Sequence, residues 1–242
     1  NVRVGNTLNM LTNWQSIEYT TSQNFDRRAF DLLNCITVVP GAIGAFRKKA
    51  IMEAGGFTTD TLAEDCDLTI RILRSGYQIR NAEKAIAVTE APETLNMFLK
   101  QRFRWSFGIM QSFWKHRDLC FNAKYGNLGM IAMPNILIFQ ILLPLIAPLA
   151  DIVMILGILW GNGWHILAYY TAFVLIDAGV SIMAFLFEKE NLTRVLWLIP
   201  QRLVYRQLMY YILFKSIRKA LKGELQTWGS LHRTGNVKEI IA

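Results

Sequence analysis

"LAEDCDLTIRIL", residues 62–73, sets three acids, Glu64, Asp65 and Asp67, at the head of a run with helical periodicity. At 100° per residue, Leu68, Thr69, Ile72 and Leu73 share one face with Asp65, while Glu64, Asp67, Arg71 and Arg74 fall on the other. The spacing predicts a helix from about Ala63 to Ser75, ended by Gly76, with Asp67 and Arg71 placed for an i,i+4 ion pair. Glu64 suits the positive N-terminus of that helix. Asp65 is then the one acid expected to point inward. A plainer account makes Asp65 an N-terminal cap for free backbone N–H groups.

Upstream, residues 11–33 place Leu11, Trp14, Ile17, Tyr19, Phe25 and Phe30 at mostly helical spacing. "CITVVPGAIGAF", 35–46, reads as a short buried strand, a turn at Pro40-Gly41 and a second apolar stretch. "RKKAIMEAGGF", 47–57, reads as a short helix closed by Gly55-Gly56. Downstream, "YQIRNAEKAIAVTE", 77–90, alternates enough for one or two strands, and Pro92 introduces a helix over 93–117. Strands and helices in alternation imply an α/β layer.

In "TLNMFLKQRFRWSFGIMQSFWKH", 94–116, Leu95, Leu99, Phe103, Phe107, Met110 and Trp114 form an apolar stripe suited to a membrane or a second helix. Trp105 lies off that stripe with Gln101, Arg104, Gly108 and Ser112. Arginine offers a planar fork to phosphate oxygens, and an indole face stacks on the C–H surface of a sugar. Gln101, Arg104 and Trp105 could therefore hold a phosphorylated sugar, whereas the plainer account is a surface helix with an incidental tryptophan.

Beyond Asn127 the chain is dominated by apolar runs, and 52% of all residues are hydrophobic. Residues 128–160 are broken by Pro134, Pro144, Pro148 and Asp151. At about 1.5 Å per residue they exceed the roughly 30 Å of bilayer hydrocarbon, so part is expected along the interface. Residues 164–187 make a clean span containing Asp177, and residues 195–214 a third stretch containing Arg202 and Arg206. Four residues apart, those arginines share a face, directed at protein or a wet cavity, or else snorkelling from a shallow helix.

The net charge is +8, with Lys and Arg crowded into 100–124 and 215–238 on either side of the apolar runs. That pattern suits anionic lipid on the cytoplasmic side and favours an even number of crossings. Nucleic acid is not expected, since no binding motif accompanies the charge. Cys35, Cys66 and Cys120 are widely spaced, which fits a reduced compartment and argues against a disulfide framework or a zinc site. The opening "NVRVGN" reads like the middle of a domain, so a piece of a longer chain is expected.

"AED" at 63–65, then "QRFRW" at 101–105, then apolar helices, together resemble the processive family 2 glycosyltransferases: the poly-N-acetylglucosamine, chitin-oligosaccharide, hyaluronan and cellulose synthases. "VVPGAIGAFRKKAIMEAGGF", 38–57, resembles the stretch those enzymes carry before the acid motif. The resemblance implies the C-terminal part of a GT-A (Rossmann-like) α/β domain over 1–92, and an amphipathic interfacial helix region over 93–126. It further implies transmembrane helices over 127–214 and a basic cytoplasmic tail over 215–242.

By residue match it implies Asp65 as general base, with Glu64 in a supporting role and Ala63 standing where the family has Thr. Gln101, Arg102 and Arg104 match the segment on the nucleotide pyrophosphate, and Trp105 the platform under the acceptor sugar. "WGSLHRTG", 228–235, resembles a gating loop, which adds Trp228 and Arg233. Nothing in residues 1–62 resembles the family's DDGS-type or DxD sites, so the ligands of Mg²⁺ or Mn²⁺ are expected upstream of this chain.

The implied reaction is inverting transfer from a UDP-sugar donor to a polysaccharide acceptor at a lipid membrane. The implied location is the inner (plasma) membrane, multi-pass, with the catalytic part cytoplasmic and an accessory membrane subunit left open. The opening segment and basic tail resemble most the poly-N-acetylglucosamine and chitin-oligosaccharide members. A non-processive transferase with a lipid acceptor, and an inactive regulatory or transport subunit, stay open as alternatives.

Overall fold

The computed structural model describes residues 1–41, 43–161 and 163–222. Strand β1 (Val2–Val4) pairs in parallel with β2 (Ala87–Thr89), Val2 opposite Ala87 and Val4 opposite Thr89. Two buried asparagines extend this ladder by mimicking backbone. Asn24 exchanges hydrogen bonds with Val2 N–H and C=O at 2.9 Å each, and Asn6 does the same with Ala91 at 2.7 and 2.8 Å. Among the described residues this is the sheet, so the alternating α/β layer is largely helical here.

Helix α1 (Met10–Glu18) opens on Asn9, whose side chain accepts from Thr12 N–H while the Thr12 hydroxyl accepts from Asn9 N–H. It runs through a π-helical stretch, Tyr19–Phe25, into α2 (Asp26–Leu32). The strand expected over 35–46 does not form. Pro40 has no N–H to give a ladder. Val39 N–H instead finds the Thr69 hydroxyl at 3.0 Å, and Gly44 N–H turns back to Pro40 C=O at 2.9 Å.

Helix α3 (Lys48–Glu53) ends as its glycines predict. Gly55 and Gly56 have φ of +85° and +73°, and Gly56 N–H reaches Ile51 C=O at 2.8 Å. Helix α4 (Glu64–Arg74) carries the acid motif, and α5 (Leu95–Lys115), capped by Thr94, carries Trp105. Around α4 a core gathers Cys66, Leu68, Ile70 and Ile72 with Ile36, Leu119, Leu128, Met133 and Ile136.

The apolar rod Leu128–Leu159 therefore starts inside this core. It comprises π-helical turns at Leu128–Ala132 and Ile136–Leu142, the short α6 (Met133–Asn135) between them, and α7 (Leu143–Leu159). Pro134 and Pro144 fall in the first turns of α6 and α7, where a missing N–H costs least, and Pro148 lies inside α7. Gly161 turns the chain, and α8 (Gly163–Glu188) returns to the globular part. There Glu188, with a side chain only 4% exposed, accepts from Arg28 at 2.8 and 2.9 Å and from Asn1 at 2.7 Å.

The rod and α8 are the two helices, among the described residues, long and apolar enough to cross a membrane by length and composition. The third apolar stretch behaves differently. Helix α9 (Leu198–Leu221) packs along α5, where Leu198, Tyr205 and Ile212 join Trp14, Ile17, Phe98 and Phe185. Leu99 and Phe103 of the predicted stripe lie against this cluster, while Leu95 and Trp114 at its ends stay exposed. Arg206 faces protein, pairing with Asp151 of α7 at 2.6 Å. The side chain of Arg202 is outside what is described.

Candidate functional site

The acid helix and the tryptophan helix meet through a glycine. A Cβ on Gly108 would lie 2.6 Å from Ala63 N and 2.7 Å from Ala63 Cβ, so only glycine lets α5 touch the residue before Glu64 and Asp65. One turn on, the Gln111 side chain accepts from Leu62 N–H at 2.9 Å. The face holding Gln101, Gly108 and Ser112 is thus a packing face, with Gln101 and Ser112 buried in it.

This seam has a direct consequence for stability. Gly108→Ala forces the two backbones apart, an overpacking that costs about 1–3 kcal/mol, set against the higher helix propensity of alanine. The expected result is a lower thermal midpoint despite that propensity gain. An unchanged or raised midpoint would show that the contact is not tight.

Asp65 sits at the opening of this seam, partly exposed. Its carboxylate accepts from Cys66 N–H at 2.8 Å and from Gly41 N–H, across the chain, at 3.3 Å. Thr69 fixes the same place from below, donating its hydroxyl to Asp65 C=O at 2.6 Å while accepting from Val39 N–H. Gly41 is therefore tied to the acid, and Ile43 packs, as Trp105 does, against the cluster of Val2, Val4, Tyr19 and Ala91. Trp105 is half-buried, with its ring centroid 6.5 Å from that of Tyr19.

Two further charges bear on the opening. Burial, and secondarily the Asp65 carboxylate, push the Glu64 pKa up, and Arg104 partly offsets this. Arg27 of α2 has its pKa pulled down by burial, with Asp65 and Tyr19 opposing the shift. Arg27 has no signature in the sequence, since nothing in "NFDRRAF" tells it from Arg28.

The wheel erred on Asp67. It is fully buried, while Asp65 is the partly exposed acid. A wheel assumes one solvent face, but α4 is covered on both. Asp67 accepts from Arg71 at 2.8 Å, as spaced, and also meets Lys115 at 2.9 Å, His116 at 2.9 Å and the Thr58 hydroxyl at 3.1 Å. Burial alone would raise its pKa; the hydrogen bonds from His116 and Lys115, with the Arg71 charge, hold it well below the usual carboxylate range.

The expected site residues thus divide. Glu64, Asp65, Arg104 and Trp105 are all partly exposed, with Asp65 and Arg104 close enough to shift Glu64, and Trp105 packs against the cluster of Val2, Val4, Tyr19 and Ala91. Gln101 and Arg102 point into the protein, and Arg102 is 3% exposed and paired with Glu18 at 2.7 Å. Trp228 and Arg233 lie outside the described residues. Among the described residues no group of three or more His, Cys, Asp or Glu could hold a metal ion. Chemically these residues present a partly exposed carboxylate, a guanidinium and an aromatic ring.

Comparison with known proteins bears on the family of the chain. A family model described as "Glycosyl transferase family group 2" matches residues 2–188. A poly-beta-1,6-N-acetyl-D-glucosamine synthase of Staphylococcus epidermidis is 24% identical over 254 residues, covering 98% of this chain and 60% of that protein. A second S. epidermidis protein of the same name is 29% identical over 118 residues, 47% of this chain and 29% of its own. One from Staphylococcus aureus (strain COL) is 31% identical over 108 residues, 45% of this chain and 26% of its own. The chain thus spans 60% or less of the length of these relatives.

Proposed function

The chain belongs to glycosyl transferase family group 2, and from that premise we propose that it is the acceptor-side part of a membrane-embedded, inverting glycosyltransferase that extends a β-linked N-acetylglucosamine polymer. The observation that supports this is the Gly108–Ala63 contact, which packs the helix carrying Arg104 and Trp105 against the start of the helix carrying Asp65. Asp65 takes the proton of the acceptor hydroxyl as that oxygen attacks the anomeric carbon. Trp105 supports the acceptor ring, and Arg104 balances charge on the departing UDP. The divalent ion, Mg²⁺ or Mn²⁺, is assigned to residues other than those described.

The polymer is suggested by the relatives, which are named as synthases of poly-β-1,6-N-acetylglucosamine. Membrane embedding is supported by the rod and α8, whose apolar side chains stay largely uncovered, Leu149, Val153, Leu175 and Ile176 each more than 60% exposed. Both helices have one end held in the globular part, so the pair forms a hairpin with both ends on the catalytic side. That side is read as cytoplasmic, because UDP-sugars are supplied there and the basic flanks favour it.

The test uses the full-length protein in membranes supplied with radiolabelled UDP-N-acetylglucosamine and a divalent ion. The expected product is a ladder of oligosaccharides many units long that shortens in Trp105→Ala. A product carrying a single added sugar, or label confined to lipid, overturns the polymerase reading.

A further inference from the structure

We infer that Arg102 is a positioning residue for Trp105, clamped by Glu18 and Tyr205, so that helix α9 sets the pose of the sugar platform. This rests on the reading of Trp105 as the acceptor platform.

The two arginines of "QRFRW" have opposite surroundings. Arg104 is half-exposed near Glu64, whereas Arg102 lies in the interface of α1, α5 and α9. Its Nη1 donates to Glu18 Oε1 at 2.7 Å, while Nε and Nη2 are buried without a hydrogen-bond partner. Its guanidinium carbon sits 4.5 Å from the Trp105 ring centroid and 5.3 Å from that of Phe98. Aromatic faces thus take the place of two hydrogen bonds, an arrangement that calls for an explanation, since buried donors are normally paired. A guanidinium so enclosed does not reach a diphosphate at the opening. Its flat contact with the indole gives it a different task.

The clamp continues to the far end of the chain. The second oxygen of Glu18, Oε2, accepts from the Tyr205 hydroxyl. The Tyr205 ring is wedged against Phe98, centroids 5.1 Å apart, and against Trp14 at 6.2 Å. Beside Glu18, Tyr19 meets the Trp105 ring at 6.5 Å. Trp105 is thus bracketed by Arg102 and Tyr19, both governed by the end of α1, and Glu18 ties that end to α9. One indole face is taken by Arg102, which leaves the other for a sugar ring.

Without its charge, residue 18 holds Arg102 only by a neutral hydrogen bond, and the buried cation, no longer balanced, shifts toward water and away from the indole. The acceptor should feel this more than the donor. Initial rates are measured on the full-length protein in membranes, varying UDP-N-acetylglucosamine and a short β-linked N-acetylglucosamine oligosaccharide separately. Glu18→Gln is expected to raise the acceptor KM about five- to tenfold and to leave the donor KM within about twofold. Tyr205→Phe, which keeps the Glu18–Arg102 pair, is expected to act in the same direction by about two- to threefold, and serves where Glu18→Gln does not fold.

The deciding measurement is a double-mutant cycle. On a Trp105→Ala background, Glu18→Gln and Tyr205→Phe should add almost nothing, because the group they position is gone. Full additivity, or equal rises in donor and acceptor KM, overturns the clamp. An acceptor KM that Trp105→Ala leaves unchanged overturns the platform reading itself, and the clamp with it.

Discussion

Asp65→Asn is expected to lower sugar transfer by about 10²–10⁴-fold, the range assigned to a positioned general base, with no comparable loss of fold. Asparagine has the same shape, and its amide oxygen keeps the nearer of the two N–H bonds, from Cys66, while its NH2 replaces the oxygen that accepts from Gly41 N–H at 3.3 Å, a long bond whose loss costs little. The bond from the Thr69 hydroxyl goes to the backbone of residue 65 and is untouched. What disappears is the capacity to take a proton. Transfer by the full-length protein in membranes, beside a thermal midpoint, separates the two effects. Wild-type transfer with an unchanged midpoint sinks the assignment.

Glu64 provides the internal contrast. It is adjacent in sequence and similarly half-buried, and burial raises its pKa. Glu64→Gln removes a carboxylate that is not assigned the proton transfer and should cost far less than Asp65→Asn. A division of labour between adjacent acids is what this pair of variants tests. Nothing in the spelling "ED" settles it.

Local features were readable where they depend on local physics. The spans of α4 and α5, the Gly55-Gly56 helix end and the Asp67–Arg71 pair follow from periodicity, left-handed glycine and i,i+4 spacing, and each is present. The errors arise where partners are distant in sequence. The strand expected at 35–46 fails because a strand needs a neighbour, and Val39 and Gly41 find side chains of α4 instead. Arg102 looked equivalent to Arg104 because both precede Trp105. Only Glu18 and Tyr205, which lie 187 positions apart and meet in space, separate them.

The same limit produced the largest misreading, and it carries the largest expected effect on stability. Asp67→Ala is expected to destabilise the fold by about 3 kcal/mol, the lower end for breaking a buried ion pair, because its partners Arg71 and Lys115 keep some contact with water. For a chain of this size that is a fall of roughly 6–12 °C in thermal midpoint. The loss exceeds that of an exposed pair because Asp67 has no exposure and answers three basic side chains and the Thr58 hydroxyl at once. Removal leaves Arg71, Lys115 and His116 facing one another across the α4–α5 contact.

The pH dependence has a definite sign. The folded-state pKa of Asp67 is depressed, so its stabilisation is fully present above the ordinary carboxylate pKa of about 4 and is lost as pH falls below it. Midpoints of wild type and Asp67→Ala should therefore differ by a constant amount from pH 7 down to about 5 and converge at lower pH. A gap that persists undiminished into strong acid would mean that packing, not charge, makes Asp67 matter. A gap that closes ties the stability of the α4–α5 seam, on which Asp65 sits, to one buried carboxylate that the helical wheel puts in water.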